Sequence, residues 1–202
     1  MPKMRVELEQ VTPNITKLIP DIASICYGKD KAKEPEKLFK HLYDSGHHSV
    51  LEHAYYTFRI SGVSRVLLAQ LTRHRLASPT VRSQRYCNES NIRNIMPPTI
   101  EINRPAKMVF NLVCKVSRYA YKKLIRLGIP REDARYATLQ AGETQLYFSC
   151  NFRELLHIAE LRTARTAQWE IRRLAQAIVG LVLEDAPELE VVFEAMSKRR
   201  KK

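Results

Sequence analysis

No stretch of this 202-residue chain approaches the length of a membrane-spanning helix, and Met1-Pro2-Lys3 is not followed by an apolar secretory run. No membrane partner is expected, and the cytoplasm is the expected compartment. Cysteine is sparse: Cys26, Cys87, Cys114 and Cys150 form no Cys-x-x-Cys pair. That pattern favours reduced thiols over disulfides or a metal site, with pairing left open. Neither the Gly-x-Gly-x-x-Gly turn of dinucleotide folds nor the P-loop glycine and lysine motif occurs, so Rossmann and P-loop binding are not indicated. No His, Cys and carboxylate set has metal-ligand spacing, so no metal is expected. Internal repeats and a flexible interdomain linker are missing too. The length therefore fits one domain over residues 1–197, with room for a small lobe and with a core of its own.

Acidic residues are also outnumbered, 21 against 34 Lys and Arg, for a formal charge of +13. Lys198, Arg199, Arg200, Lys201 and Lys202 supply five of those charges, and residues 198–202 read as a solvated, disordered basic tail. The remaining basic field would steer an anionic ligand toward a cleft. Charge alone does not separate a nucleotide from a polynucleotide, so a basic helical nucleic-acid-binding protein stays as a second reading. A third is an oligomeric module whose Arg-rich segments form ion pairs between subunits.

Periodicity predicts helices outnumbering strands. Met4 to Glu9 alternates, as do Ala54 to Ile60 and Gln145 to Cys150, predicting three strands. Pro35 opens a helix carrying Leu38, Phe39 and Leu42. After Gly62, the spacing of Val63, Val66, Leu67 and Leu71 predicts a helix with Arg73 to Arg75 at its C-terminal end. Ser78 to Tyr86 reads as irregular because Pro79 discourages helix. A long helix is expected from about Pro105 to Leu127, with Val109, Val113, Val116, Ala120 and Leu124 as its apolar stripe. Asn151 is placed to cap a further helix, with Glu154 in position to cap reciprocally. Two closely spaced helices then fill most of Phe152 to Asp185. The fold class is α/β (α+β): a mixed small sheet with several long helices.

The chemistry concentrates in Arg73-His74-Arg75, seven intervening residues, then Ser83-Gln84-Arg85. Like charges crowded this way destabilise a fold unless an anion compensates them. Guanidinium suits bidentate recognition of phosphate or carboxylate. Taken alone, the first three residues are also explained as cations favoured by a helix C-terminus. Arg162 stands apart, because Leu155, Ala159, Arg162, Thr166 and Trp169 follow helical spacing and place it in a largely apolar stripe. A guanidinium there requires a carboxylate or a ligand.

The Arg-His-Arg-x7-Ser spacing resembles the signature of the flavin-dependent thymidylate synthases. Further segments match that family in order: Gly46-His47-His48-Ser49 with Glu52-His53, Pro130-Arg131-Glu132-Asp133-Ala134-Arg135, Asn151-Phe152-Arg153, and Leu161-Arg162 with Ala167-Gln168-Trp169-Glu170. Together they cover roughly residues 40 to 180. The resemblance implies a mixed α/β homotetramer with FAD sites shared between subunits. The implied reaction is reductive methylation of dUMP to dTMP, with 5,10-methylenetetrahydrofolate as carbon donor and NADPH as reductant.

By the same resemblance, Arg73, His74, Arg75, Asn151 and Arg153 contact FAD, with Ser49 and Glu52 as weaker candidates and His47 near the flavin–folate stack. Gln70, Ser83, Gln84, Arg85 and Arg135 contact dUMP, with Arg73 also facing it, and Arg162 binds and polarises the uracil. Ser83 lacks an evident activating base, since Arg82 and Gln84 flank it, so it is read as an orienting group. Two positions depart from the pattern. Val81 stands where many relatives carry an acidic or amide side chain, and Thr166 where some carry a flavin-contacting histidine. His41, His53 and His157 take no role from the sequence.

Overall fold

The computed structural model describes residues 3–199. In chain order its elements are β1 (Arg5–Val11), α1 (Ile15–Ser24), α2 (Pro35–Asp44), β2 (Tyr55–Ser64), α3 (Arg65–Leu71), β3 (Ala77–Val81), α4 (Pro98–Glu101), α5 (Arg104–Arg126), α6 (Arg131–Ala134), β4 (Glu143–Asn151), α7 (Phe152–Arg162), α8 (Trp169–Asp185) and α9 (Glu190–Arg199). The strands form one antiparallel sheet in the order β1-β2-β4-β3. Helices with a single small sheet give the mixed α/β class that the periodicities predict. Among the described residues, no helix is long and apolar enough to cross a membrane. None of the His, Cys, Asp and Glu groups among them is placed to hold a metal ion. Of the expected basic tail, Lys198 and Arg199 continue α9, and residues 200–202 lie outside the described residues.

The chain folds as two compact units. The first comprises Met1–Arg5, Ile60–Leu71 and Thr80–Leu146. Its core gathers Ile60, Val63, Leu67 and Leu71 with Tyr121 and Leu146. Gly62, inside β2, has φ 68° and lies so close to the Lys3 backbone that a Cβ there would stand 2.4 Å from the Lys3 carbonyl oxygen. Only glycine fits that approach. Val63, expected in the following helix, is instead still in β2.

The second unit comprises Val6–Arg59, Thr72–Pro79 and Tyr147–Lys202. In β2, Tyr56 and Phe58 are buried and Tyr55 and Arg59 exposed, the period of two that the sequence shows. Phe152, at the start of α7, packs its ring 6.4 Å from Phe39 and 5.9 Å from Tyr56. Truncating so buried an aromatic costs about 3–5 kcal/mol.

Four expectations change. The Pro79 segment is strand, not irregular: β3 lies at an edge of the sheet, where a residue without an N–H leaves no ladder bond unmade. α3 stops at Leu71, so Arg73-His74-Arg75 occupies a turn beyond the helix. α5 has the predicted length, but Val109, Val113 and Val116 are exposed, and only Cys114 and Tyr121 are buried. α7 ends at Arg162 and α8 begins at Trp169, so the stripe read through Thr166 to Trp169 is broken by a turn.

Candidate active site

In the second unit the site grows from the junction of β4 and α7. The Asn151 side-chain oxygen accepts the Glu154 backbone N–H at 2.9 Å, satisfying one of the orphan donors of the first turn. The predicted reciprocal cap does not form, because the Glu154 carboxylate serves His74 instead. Residues 151, 154 and 157 follow one another at three-residue spacing, so Glu154 and His157 share a helix face.

His74 is only 5% exposed despite lying in a turn. Its Nδ1 is 3.1 Å from Glu154 Oε1, and Arg162 Nε donates to its Nε2 at 3.0 Å. A guanidinium has no acceptor, so Nε2 must be the unprotonated nitrogen and Nδ1 must carry the hydrogen given to Glu154. The imidazole is therefore neutral, with its tautomer set from both sides. Burial is the main cause holding its pKa below the ordinary 6.5; the Arg162 and His157 charges act in the same direction and Glu154 opposes them. The His157 ring meets His74 edge-on at 5.8 Å.

Beside this chain lies a cavity of about 440 Å³ whose wall includes Tyr43, His48, Leu76, Arg153, Glu154 and His157. His48 stacks on Tyr43 at 5.3 Å and donates its Nε2 hydrogen to the Tyr43 carbonyl at 3.0 Å. Its neighbours His47 and Ser49 are exposed. Arg153 pairs with Glu52 at 2.5 Å, both about half exposed; such a pair contributes little stability and yields readily to another anion. Arg73 and Arg75 flank His74 on the surface.

A second cluster belongs to the first unit. Arg85 Nε pairs with a Glu132 carboxylate oxygen at 2.5 Å, and Arg135 Nε donates to the Glu132 carbonyl at 2.9 Å. The two arginines are thus gathered at one short helix. The buried Gln84 donates to Thr138 Oγ1 at 3.4 Å. Ser83 Oγ accepts the Arg85 backbone N–H at 3.2 Å, and among the described residues no carboxylate or imidazole hydrogen-bonds to it. Gln70, at the end of α3, and Val81, at the end of β3, belong to the same unit. Thr166 is exposed in the turn before α8.

Sequence reasoning missed three anchors. Local pattern makes Glu154 a cap and leaves His157 without a role, and it does not point to the buried Glu89, which holds Arg82 at 2.5 Å. For the first two the signal was present: spacing by three from Asn151. Glu89 had none, because its partner is set by the loop that joins them.

Both clusters present permanently charged arginines: Arg153 and Arg85 pair with carboxylates, Arg162 donates to His74 and Arg135 to a backbone carbonyl, and among the described residues neither cluster presents an activated nucleophile. They give an α/β protein guanidinium groups of the kind suited to anionic ligands. The profile of the family described as "Thymidylate synthase complementing protein" matches residues 7–188. A flavin-dependent thymidylate synthase of Geobacter sulfurreducens is 35% identical over 197 residues, covering 92% of this chain and 85% of that protein. Enzymes of the same name from Clostridium tetani and Nitratidesulfovibrio vulgaris are each 35% identical over 92% of this chain, with 85% and 84% of their own lengths covered. The chain belongs to the flavin-dependent thymidylate synthase family.

Proposed function

We propose that this enzyme makes dTMP from dUMP, taking the one-carbon unit from 5,10-methylenetetrahydrofolate and reducing equivalents from NADPH. The observation that supports it best is the buried Glu154–His74–Arg162 chain. It ties the signature histidine to the one arginine that the resemblance assigns to the pyrimidine.

The residues fit an FAD group. Arg153 offers a guanidinium in the first turn of the Asn151-capped α7, and exposed Arg73 and Arg75 flank His74, whose ring meets Glu154 of that same turn, a combination suited to pyrophosphate. The adjoining cavity mixes apolar wall, from Leu51, Leu76 and Leu156, with the polar Arg153 and His157, as a fused ring with one hydrogen-bonding edge requires. FAD, when bound, supplies the hydride. Ser49 and His47 are the further flavin-side and folate-side candidates.

On the nucleotide side, Ser83, Gln84, Arg85 and Arg135 bind and orient dUMP, with Arg73 and Gln70 completing the set. Arg162 holds the uracil and stabilises the negative charge that develops on the ring as its carbon skeleton is attacked. Its guanidinium keeps its charge at every working pH. Ser83 donates a hydrogen bond and makes no covalent bond to substrate. The four free thiols support a reducing, cytoplasmic setting. The exposed apolar side chains of α5, Met108, Val109, Leu112 and Val113 among them, support self-association to a homotetramer with shared sites.

Equilibrium titration of the purified chain with FAD, followed by single-turnover oxidation of the reduced flavin with dUMP and methylenetetrahydrofolate, tests the reading. Ser83→Ala is expected to weaken dUMP binding while retaining flavin oxidation, and Arg162→Ala to abolish it even at saturating nucleotide. A quenched-flow peptide carrying dUMP covalently on Ser83 would overturn the assignment. The rival reading, polynucleotide binding through the basic surface, predicts a steep salt dependence of binding and no flavin affinity.

A further inference from the structure

We infer that Glu154 is a positioning residue: it selects the Nδ1–H tautomer of His74 and thereby fixes the side chain of Arg162. This deepens the reading of Arg162 given above and rests on it. The resemblance gives roles to His74, in the signature, and to Arg162, in a later matching segment; it gives none to Glu154.

The geometry carries the inference. Imidazole free in water distributes its hydrogen between two nitrogens, and a donor such as Arg162 Nε can be received only by the bare one. Arg162 donates to Nε2 at 3.0 Å, so the hydrogen must sit on Nδ1, where Glu154 Oε1 waits at 3.1 Å. The His74 and Glu154 side chains are 3% and 7% exposed, so water has little part in the choice. The backbone that carries this carboxylate is itself anchored, because the Glu154 N–H is held by the Asn151 cap at 2.9 Å. Cap, carboxylate, imidazole and guanidinium thus form one connected series from the N-cap of α7 to its last residue, Arg162. The arrangement parallels the way an outer carboxylate sets the tautomer of a ligating or catalytic histidine. Here the group held at the far end is an arginine.

The same series explains why a carboxylate, and not an amide, occupies position 154. A Gln could accept from Nδ1–H through its oxygen, but its amino group turned the other way would demand the opposite tautomer and put two N–H groups face to face at Nε2 and Arg162. A carboxylate has no such wrong orientation.

Two variants test it, Glu154→Leu, close in volume, and Glu154→Gln, nearly isosteric. The first readout is nitrogen-15 NMR of histidine-labelled protein above pH 7, without flavin or nucleotide. The wild type should show His74 as the Nδ1–H tautomer, and Glu154→Leu should shift it toward Nε2–H. The second readout is single-turnover flavin oxidation at saturating dUMP. Glu154→Leu should lose about tenfold or more in rate with a smaller change in dUMP affinity, and Glu154→Gln should recover part of that loss. An unchanged tautomer in Glu154→Leu would overturn the inference. So would a rate equal to wild type, or a loss confined to thermal stability. Because the NMR measurement uses no cofactor, its failure is the failure of Glu154 as tautomer selector. A wild-type chain that neither binds FAD nor turns over dUMP would instead be the failure of the functional reading.

Discussion

A neutral histidine between a carboxylate and a guanidinium makes the fold acid-sensitive in a definable window. His74 has a folded pKa below its unfolded value of 6.5, chiefly from burial. The unfolded chain therefore binds the extra proton first, and the stability contributed by neutral His74 is complete above pH 6.5 and is lost as pH falls through the folded pKa. Protonation would also remove the acceptor at Nε2 and release Arg162. Thermal denaturation from pH 8 to pH 5 should show Tm falling below about pH 6.5, and His74→Asn should flatten that part of the curve. Thiol chemistry gives a second check on single residues. Burial pushes the Cys150 thiol up to about 12 and raises that of Cys114, whereas Cys26 is exposed and Cys87 half-buried. Titration of the native protein with an aromatic disulfide should label Cys26 first and Cys87 more slowly. Cys114 and Cys150 should react only after denaturation.

Helix α7 joins structure to the proposed function through Asn151, whose side chain caps the helix and which, with Arg153, is proposed to contact FAD. The two roles separate by substitution. Asn151→Asp keeps an acceptor for the Glu154 N–H and suits the helix dipole, so stability should hold, while its negative charge should weaken FAD binding. Asn151→Ala should lose about 1 kcal/mol of stability as well, measured as a lowered urea midpoint. That this cap, the alternation in β2 and β4, and the extents of α2 and α5 could be read from the sequence follows from their local origin. Each rests on residues within one or two turns or on a period of two. β3 was not legible because Pro79 is acceptable only at an edge, and which strand lies at the edge is a property of the whole sheet. The spacing of Val63, Val66, Leu67 and Leu71 predicts a helix that carries the Arg-His-Arg segment at its C-terminal end. The chain instead turns after Leu71, and the buried Glu154 carboxylate, 80 residues away, receives His74. Of the site, the guanidinium groups are legible as residue types, and spacing from Asn151 places Glu154 on its helix face. The partner of Glu154, like the anchoring roles of Glu132 and Glu89, is set by contacts made in three dimensions.

Assembly is where the exposed face of α5 and the proposed shared site meet. Of the 23 residues of α5, only Cys114 and Tyr121 are buried, while Met108 is 68%, Val109 63% and Leu112 61% exposed. An apolar stripe of that kind on a long helix is costly in water and is the expected mark of a partner surface. Replacing Val109 and Leu112 by Glu should leave the circular dichroism spectrum intact. The same change should reduce the sedimenting species to monomers and abolish dTMP formation, since the sites are proposed to require more than one chain. Complementation then separates shared sites from simple stabilisation by assembly. Arg73→Ala and Arg135→Ala each disable one part of the proposed site. If the two residues serve one site from different chains, mixing the inactive proteins under dissociating conditions and reassembling them restores some sites with both arginines intact. Random pairing of the two chain types makes up to about a quarter of the sites whole. Activity recovered toward that fraction, and dependent on dissociation before mixing, is the expected result. Stable oligomers that exchange subunits yet recover nothing would place Arg73 and Arg135 of each site on the same chain.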